Sequence, residues 1–330
     1  MKIRSVFTAL SLSVALGSVP VQAADKVTFQ LDWLPGGDKA PVYVGIQQGF
    51  FADEDLEVSI AGGRGSTDAI TKLATGNADI GLSDIGALLA ARAQSRVPVT
   101  AVYSVFTQAP HAFMVLEGSG INSVRDVAGK KVATSPFTSS NVYLPLLLKD
   151  NGLEMSDIRL TKSDPGSLSP MMVTGQTDVV ISWVTDTQRY RAQAESAGKS
   201  LKVLPWSEAG LELYSATLVA NERFLEERPD VAKRFVRAFA KAVSFTHEHP
   251  VTAGENINAM VPEVDAAVAA ATITDTMKLV FNEVSARDGM GRLEPTRLAN
   301  TWQLVAAAQD LDASAFDVET AVNRSFMPEQ

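Results

Sequence analysis

Residues 31–51 read Leu-Asp-Trp-Leu-Pro-Gly-Gly-Asp-Lys-Ala-Pro-Val-Tyr-Val-Gly-Ile-Gln-Gln-Gly-Phe-Phe. The alternation of apolar and polar residues that ends at Leu31 predicts a strand, and the Pro-Gly-Gly sequence at residues 35–37 predicts a break after it. The apolar run that follows predicts a helix that stops at Gly49. A strand, a bent loop and a helix start form the usual geometry of a ligand mouth in an α/β protein.

The loop inside this segment carries side chains suited to recognition. Trp33, Asp38 and Lys39 supply an aromatic plate, a hydrogen-bond acceptor and a cation. Trp33 could stack on a planar ligand or form an apolar wall, and its alternative is a core tryptophan at a strand end. Lys39 could hold a carboxylate, a sulfonate or a phosphate, and its alternative is a solvated lysine or one paired with Asp38.

The first 23 residues have the pattern of an export signal. Lys2 and Arg4 precede an apolar run over residues 6–16, and residues 21–23 fit the positions that a signal peptidase reads. We therefore expect cleavage near Ala23 and a product in a bacterial periplasm. The chain contains no cysteine, which excludes disulfide bonds and a lipid-anchored start.

The composition predicts a soluble protein of two lobes. A mature chain of about 300 residues exceeds what one core usually supports. No later stretch has the roughly 18 consecutive apolar residues that a membrane span requires. The net charge of −9, from 29 Lys and Arg against 38 Asp and Glu, argues against nucleic acid or an acidic membrane surface as a partner.

Two short stretches of the chain match each other. Residues 75–83 read Thr-Gly-Asn-Ala-Asp-Ile-Gly-Leu-Ser, and residues 174–182 read Thr-Gly-Gln-Thr-Asp-Val-Val-Ile-Ser. Each comes third in a strand–loop–helix series, so we predict two similar α/β lobes with loops at the carboxyl ends of parallel strands. The alternative is chance, because Gly commonly ends a helix. We place lobe 1 at residues 24–113 plus 215–330 and lobe 2 at residues 114–214.

The last third of the chain is predicted to be helical. Pro229 suits the first turn of a long helix whose apolar stripe, including Phe235 and Phe239, runs until Pro250. The Ala-rich segments after it, including residues 296–309, also predict helices. We expect these helices to pack on the first lobe and to make it discontinuous in sequence.

Hydroxyl side chains recur at two predicted helix starts. Ser66 and Thr67 follow a glycine-rich loop, and Ser139 with Ser140 lie in the corresponding loop of the second lobe. Exposed amides at a helix start attract an anion or a carbonyl oxygen. The alternative is that these hydroxyls only cap the helices.

Asp84 and Trp183 follow the two equivalent serines of the repeat. We expect both side chains in the cleft between the lobes, where Asp84 could accept a hydrogen bond from an amine or a ring N–H. The alternative for Asp84 is the N-cap of a helix predicted over residues 85–94.

Enzymatic and metal sites find little support in the sequence. The histidines are His111, His247 and His249, and the last two are too close together on a predicted helix to share a face as metal ligands. Residues 62–65 are glycine-rich but lack the Lys-Ser/Thr ending of a phosphate-binding loop. We expect no catalytic residue, no metal and no cofactor.

Several motifs resemble a known family when they are taken together. They are Leu31-Asp32-Trp33-x-Pro35, Ala40-Pro41-Val42-Tyr43-Val44-Gly45, Gly49-Phe50-Phe51, Leu56-Glu57-Val58, Gly65-Ser66, Gly76-x-x-Asp79 and Gly129-Lys130-Lys131-Val132. The chain resembles the periplasmic substrate-binding proteins of ABC importers, in the branch that takes up sulfonates, taurine, nitrate and thiamine pyrimidine precursors. The resemblance implies an α/β, bilobed periplasmic-binding-protein fold of type II, with two α/β lobes around a ligand cleft. It also implies a monomer that delivers its solute to a membrane permease with a separate ATPase.

The resemblance favours one ligand class. The Asp-Trp opening and the Tyr-Val-Gly helix are more similar to the pyrimidine-precursor branch, so we expect a small planar heterocyclic or aromatic solute. Sulfonate, taurine or another small organic anion is the alternative, because Lys39 and the two helix starts favour negative charge. Lys39 also stands where the pyrimidine-precursor branch often has His. We expect the lobes to close by a hinge near residues 113–116 and 214–219.

An enzyme is the remote alternative. The related fungal pyrimidine synthase needs a reactive His and a cysteine-rich motif. This chain has no cysteine, so the resemblance supports binding and leaves that chemistry unsupported.

Overall fold

Two five-stranded sheets organise residues 23–328, the part of the chain that the computed structural model describes. The predicted export signal lies outside these residues except for Ala23. The strands are β1 (Asp25–Gln30), β2 (Leu56–Ala61), β3 (Ile80–Asp84), β4 (Val99–Ser104), β5 (His111–Leu116), β6 (Lys131–Thr134), β7 (Arg159–Lys162), β8 (Val179–Trp183), β9 (Leu201–Pro205) and β10 (Ala216–Asn221).

Twelve α-helices surround the sheets within the described residues. They are α1 (Ala40–Gln47), α2 (Ser66–Ala74), α3 (Ile85–Gln94), α4 (Ser140–Asp150), α5 (Pro165–Val173), α6 (Thr187–Ser196), α7 (Glu222–Glu227), α8 (Pro229–Glu248), α9 (Pro250–Met260), α10 (Ala266–Val280), α11 (Glu283–Asp288) and α12 (Pro295–Ala308). None of the helices in this part of the chain is both long enough and apolar enough to cross a membrane.

The two sheets share one design. The first has the strand order β2-β1-β3-β10-β4, and the second has the order β7-β6-β8-β5-β9. In the first sheet β1 is parallel to β2 and β3, and in the second β6 is parallel to β7 and β8. In each sheet the fourth strand in order runs antiparallel to both of its neighbours. The α/β class with two similar lobes is therefore confirmed, and the exact lobe boundaries stay predictions.

The chain passes between the sheets twice, once between β4 and β5 and once between β9 and β10. The predicted hinge segments overlap two strands. Residues 113–116 lie inside β5, which is hydrogen-bonded on both sides, and residues 216–219 lie inside β10, which is also bonded on both sides. Residues 105–110 and 206–215 connect the two sheets, and the position of the hinge stays a prediction.

Residues 31–51 and the strand before them fold as their sequence pattern predicts. Strand β1 ends at Gln30, a short 3-10 turn covers Gly37–Lys39, and Pro41 lies in the first turn of α1, where its missing N–H costs nothing. Gly49 follows the helix with a φ of 77°, a left-handed conformation that favours glycine.

The C-terminal helices contribute a large share of the first lobe's core. Helix α8 packs on α1, and its stripe places Phe235 with ring centroids 5.7 Å from Phe29 and 4.8 Å from Phe51. Buried aromatic pairs of this kind contribute both apolar burial and favourable ring contacts. The last long helix differs from the expectation: α12 contacts α3 of the first lobe and also α4 of the second.

One apolar cluster therefore continues from one lobe into the other. It contains Leu88 from α3, Leu144 from α4 and Trp302 from α12, all of them buried. The amide Nε2 of Gln309 also donates to the carbonyl oxygen of Val142 in the second lobe, at 2.6 Å. The lobes are thus joined along this side of the molecule.

Candidate functional site

A narrow cleft lies between the lobes at the carboxyl ends of their parallel strands. Its lining residues are Asp32, Trp33, Asp38, Gly65, Ser66, Thr138, Ser182, Trp183, Thr185 and Asp186. These residues follow β1, β2 and β6 or end β8, as expected for an α/β ligand site. The space between them, including its opening to solvent, amounts to about 290 Å³. The lobes approach each other closely here, since Thr185 Oγ1 of the second lobe donates to Asp38 Oδ2 of the first at 3.4 Å.

Two tryptophans cross the cleft in opposite directions. Trp33 comes from the first lobe and packs against an apolar cluster of the second, which includes Met114 and Tyr190. Trp183 comes from the second lobe, is 8% exposed and belongs to the core cluster of the first, 6.1 Å from Phe106 between ring centroids. Within residues 23–328 neither indole N–H has a hydrogen-bond partner. Two indole side chains thus line the cleft, and each has a buried N–H group without a partner in the described chain.

Three carboxylates line the same cleft, and no lysine, arginine or histidine is among its lining residues in the described chain. Asp32 and Asp38 come from the loop after β1, and Asp186 comes from the turn after β8. Each carboxylate is paired with a cation that does not line the cleft. Lys39 contacts Asp32 and Asp38, and Arg189 Nη2 lies 2.7 Å from Asp186 Oδ1. A ligand would therefore meet carboxylate oxygens, which accept hydrogen bonds.

Lys39 is buried and paired instead of facing the cleft. Its Nζ lies 2.6 Å from Asp32 Oδ1 and 2.9 Å from Asp38 Oδ2. Burial alone would lower the pKa of Lys39, but the two carboxylates outweigh it and hold the pKa above its ordinary value. Pairing with Asp38 is one of the alternatives that the sequence leaves open for Lys39. The structure contains this pair and adds Asp32 as a second partner. The ammonium is paired with two carboxylates and is not among the residues that line the cleft.

For the pKa of Asp38, burial outweighs the effect of the neighbouring cation. Burial raises the pKa of its carboxyl, Lys39 opposes the rise, and the neighbouring charges of Asp186 and Asp32 add to it. The carboxyl also accepts a hydrogen bond from Thr185 Oγ1 of the second lobe, at 3.4 Å. Asp38 therefore connects the two lobes at the cleft itself.

The four predicted hydroxyls have different environments. Ser66 lines the cleft, but the N-cap of α2 is Gly65, so the expected capping role of Ser66 or Thr67 is wrong. Ser66 Oγ instead accepts from the backbone N–H of Asp84, at 3.1 Å. Thr67 Oγ1 donates to the carbonyl oxygen of Phe137 in the second lobe, at 3.1 Å.

The two serines of the second lobe lie behind the cleft surface. Ser139 is the N-cap residue of α4, although its side chain makes no capping bond, and Ser140 is the first residue of the helix. Ser140 Oγ lies 2.9 Å from His111 Nδ1. The cleft instead contains the preceding hydroxyl, that of Thr138.

Asp84 does not line the cleft either, which corrects the expectation for this residue. It is the N-cap of α3 and accepts from the N–H groups of Gly86 and Ala87, because it ends β3 where the chain turns into the helix. Its carboxylate also accepts hydrogen bonds from the Tyr143 hydroxyl of the second lobe, at 3.0 Å, and from the hydroxyl of Ser215, which lies in the connection between β9 and β10.

Burial shifts the pKa values of the ionisable groups around Asp84. It raises the pKa of Asp84 to about 6 against the opposing hydrogen bonds from Ser215 and Tyr143. It lowers the pKa of His111, whose Nε2 is 3.6 Å from Asp84 Oδ2, to about 3. His111 is therefore neutral at physiological pH, and Asp84 acts as a structural link between the lobes.

Four of the nine predicted site residues line the cleft and five do not. The four are Trp33, Asp38, Ser66 and Trp183; the five are Lys39, Thr67, Asp84, Ser139 and Ser140. Sequence reasoning missed Asp32, Gly65, Thr138, Ser182, Thr185 and Asp186. Two of these had a signal: Asp32 lies directly after the predicted strand, and Ser182 is the last residue of the repeat.

Further hydrogen bonds join the lobes across the cleft mouth. Ser135 Oγ donates to the carbonyl oxygen of Arg64 at 2.9 Å, and Gln188 Nε2 donates to Asp275 Oδ2 at 2.7 Å. A Cβ atom at Gly65 would lie only 2.2 Å from the backbone carbonyl of Phe137. Glycine is thus required where the two loops meet.

The fold and the cleft define the class of structure: a bilobed α/β protein of the periplasmic-binding-protein fold, as the sequence predicted. Among solved structures, the alkanesulfonate-binding protein SsuA from Xanthomonas axonopodis pv. citri matches with a TM-score of 0.70 at 17% identity, over 92% of this chain and 99% of that one. At such an identity the likeness shows the fold alone.

The chain belongs to the NMT1/THI5-like family, whose model matches residues 37–253. It is 27% identical over 248 residues to the formylaminopyrimidine-binding protein of Halalkalibacterium halodurans, covering 74% of this chain and 73% of that protein. It is also 26% identical over 238 residues to the 4-amino-5-hydroxymethyl-2-methylpyrimidine phosphate synthase of Candida albicans, covering 69% of each. The family thus contains proteins named for binding and proteins named for synthesis.

The contact at Gly65 predicts a requirement for lobe closure. Gly65→Ala places a methyl group against the Phe137 backbone at a φ of 152°, so we expect lobes that cannot close fully and a larger radius of gyration in small-angle scattering. Gly62→Ala is the matched control, because nothing lies within 4 Å of that position. A scattering curve of Gly65→Ala identical to wild type would contradict this contact.

Asp84→Asn is expected to change how stability depends on pH. The folded pKa of about 6 exceeds the ordinary 3.8, so wild type should gain stability relative to the variant as the pH falls from 7 to 4.5, by about 2 kcal/mol. Urea unfolding of both proteins at pH 7 and pH 4.5 measures this gain. The contribution of His111 has the opposite sign but occurs in both proteins. A stability difference that is equal at the two pH values would refute the assignment.

Proposed function

We propose that this protein is the periplasmic solute-binding component of an ABC importer, and that it captures a small, planar, nitrogen-containing ring without net negative charge. The ring would lie between the two lobes and be delivered to a membrane permease whose ATPase is a separate chain. The protein would act as a monomer. The observation that carries the proposal is a cleft with two tryptophans and three carboxylates and no cation among its described lining residues.

The chemistry of the cleft supports a heterocycle with both donors and acceptors. The rings of Trp33 and Trp183 can pack against a planar solute, and their free N–H groups can donate to a ring nitrogen or a carbonyl oxygen. The carboxylates of Asp32, Asp38 and Asp186 can accept from amino groups or ring N–H groups. An aminopyrimidine carries both kinds of group, and one relative is named as a formylaminopyrimidine-binding protein.

A sulfonate or another small anion is the weaker candidate. Its support was Lys39 and two helix starts: the ammonium is held between two carboxylates and does not line the cleft, whereas Gly65 and Ser66 at the start of α2 do. The carboxylates on the cleft surface would repel an anion, and repulsion between like charges costs several kcal/mol when they are desolvated. The solved sulfonate-binding neighbours support the fold and carry no weight for the ligand.

An enzymatic role is also the weaker candidate, although a fungal relative is named as a synthase. A nucleophilic lysine needs a lowered pKa, whereas that of Lys39 is raised. A general base needs to reach the substrate, whereas His111 is fully buried against Tyr143, Trp183 and Trp206. These features favour a protein that binds its ligand and releases it unchanged.

Closure would follow from contacts that only the closed protein makes. Asp38 and Trp33 approach the ligand from one lobe, and Trp183, Thr185 and Asp186 approach it from the other. A ligand that contacts both sets stabilises the closed state by the difference in contact energy. The bending segments would be residues 105–110 and 206–215.

Isothermal titration calorimetry tests the ligand class. Neutral 4-amino-5-hydroxymethyl-2-methylpyrimidine should bind, whereas its phosphate and an alkanesulfonate should bind at least about tenfold more weakly because of charge repulsion. Trp33→Ala should weaken binding of the neutral ring, and Trp33→Phe, which keeps an aromatic face, should weaken it less. Preferential binding of the sulfonate would refute the proposed ligand class, and chemical conversion of the ring would refute the binding role.

A further inference from the structure

We infer that Lys39 determines the charge specificity of the cleft without touching the ligand, by acting as a tethered counter-ion, behind the cleft surface, to the carboxylates that a cationic ligand would contact. The inference deepens the proposed function and rests on it for the ligand class. It changes the meaning of this residue: instead of attracting anions, Lys39 would exclude cations.

The position of the ammonium is that of a bound cation. Nζ lies 2.6 Å from Asp32 Oδ1, 2.9 Å from Asp38 Oδ2 and 5.2 Å from the ring centroid of Trp183. Two carboxylates and an aromatic face are the groups that recognise ammonium ions in proteins. Here the protein itself supplies the ammonium, and the side chain is only 1% exposed.

The backbone around Lys39 holds the ammonium in place. Lys39 is the last residue of the turn Gly37–Lys39. Its backbone N–H donates to the carbonyl oxygen of Gly36 at 3.0 Å. The turn is pressed against α10, because a Cβ atom at Gly37 would lie 2.4 Å from the carbonyl oxygen of Ala269. The backbone from which the lysine side chain extends is therefore fixed against α10.

The charges explain what such a lysine does to a ligand. Without it, Asp32, Asp38 and Asp186 would place three negative groups around the cleft, with only Arg189 nearby to offset them. With it, the cation position is filled, and the carboxylates keep oxygen lone pairs that can accept from neutral N–H groups. The unpartnered N–H of Trp183, in a side chain 8% exposed, adds a donor for a neutral ring.

A metal probe tests the counter-ion independently of the natural ligand. Lys39→Gln removes the charge but keeps an N–H donor for the carboxylates, so Tb³⁺ should bind at least about tenfold more tightly than to wild type. Its luminescence should be sensitised by excitation of the nearby Trp183. Lys39→Arg keeps the charge and should behave as wild type, and Lys39→Gln/Asp32→Asn restores the charge count and should lose the gain. Equal terbium affinity in Lys39→Gln and wild type would overturn the inference.

A pair of pyrimidines tests the selectivity itself. The 5-hydroxymethyl compound is neutral, and the 5-aminomethyl analogue of similar size is a cation at pH 7. Wild type and Lys39→Arg should prefer the neutral compound, and Lys39→Gln should shift the ratio of the two dissociation constants towards the cation by at least about tenfold. An unchanged ratio in a folded Lys39→Gln protein would overturn the inference while leaving the proposed function standing. Absence of binding of either compound to wild type would overturn the proposed function, and the terbium result would still decide the role of Lys39.

Discussion

A buried ion triad, Asp32–Lys39–Asp38, is the interaction on which the cleft depends. Removing an ion from water costs several kcal/mol, and a buried pair offsets that cost only when its geometry is good. Here one ammonium lies within 3 Å of two carboxylates and beside an aromatic ring. The arrangement fixes the loop after β1, directs carboxylate oxygens towards the cleft and leaves no free cation on its described surface.

The second constraint is the way the lobes share their side chains. Trp33 packs against the second lobe, Trp183 packs in the first, and Asp84 accepts from Tyr143 across the boundary. On the side of α12 the lobes have a common apolar cluster. Opening must therefore separate polar contacts and two indoles at the mouth, which a ligand in the cleft would reinforce, while the shared cluster keeps the lobes together.

The sequence predicted the fold better than the site, for physical reasons that particular residues illustrate. Helix and strand periods are local properties, so β1, α8 and the repeat at residues 75–83 and 174–182 were visible without a structure. Ionic partners are not local: the pairing of Lys39 with Asp32 depends on how the loop folds back. Asp84 and Asp38 are both acidic residues after strands, and only burial and neighbours distinguish a helix cap from a cleft acceptor. Thr185 and Asp186 lie in a short turn after β8 whose direction no periodicity reveals.

The central claim is that the cleft selects a nitrogen-containing ring without net negative charge. Native mass spectrometry of the protein as purified from a periplasmic extract, followed by denaturation and identification of the released molecule, tests it most directly. We predict a protein carrying one small nitrogen heterocycle that is neutral at pH 7. A released sulfonate, or another organic anion bound at one molecule per protein, would contradict the account.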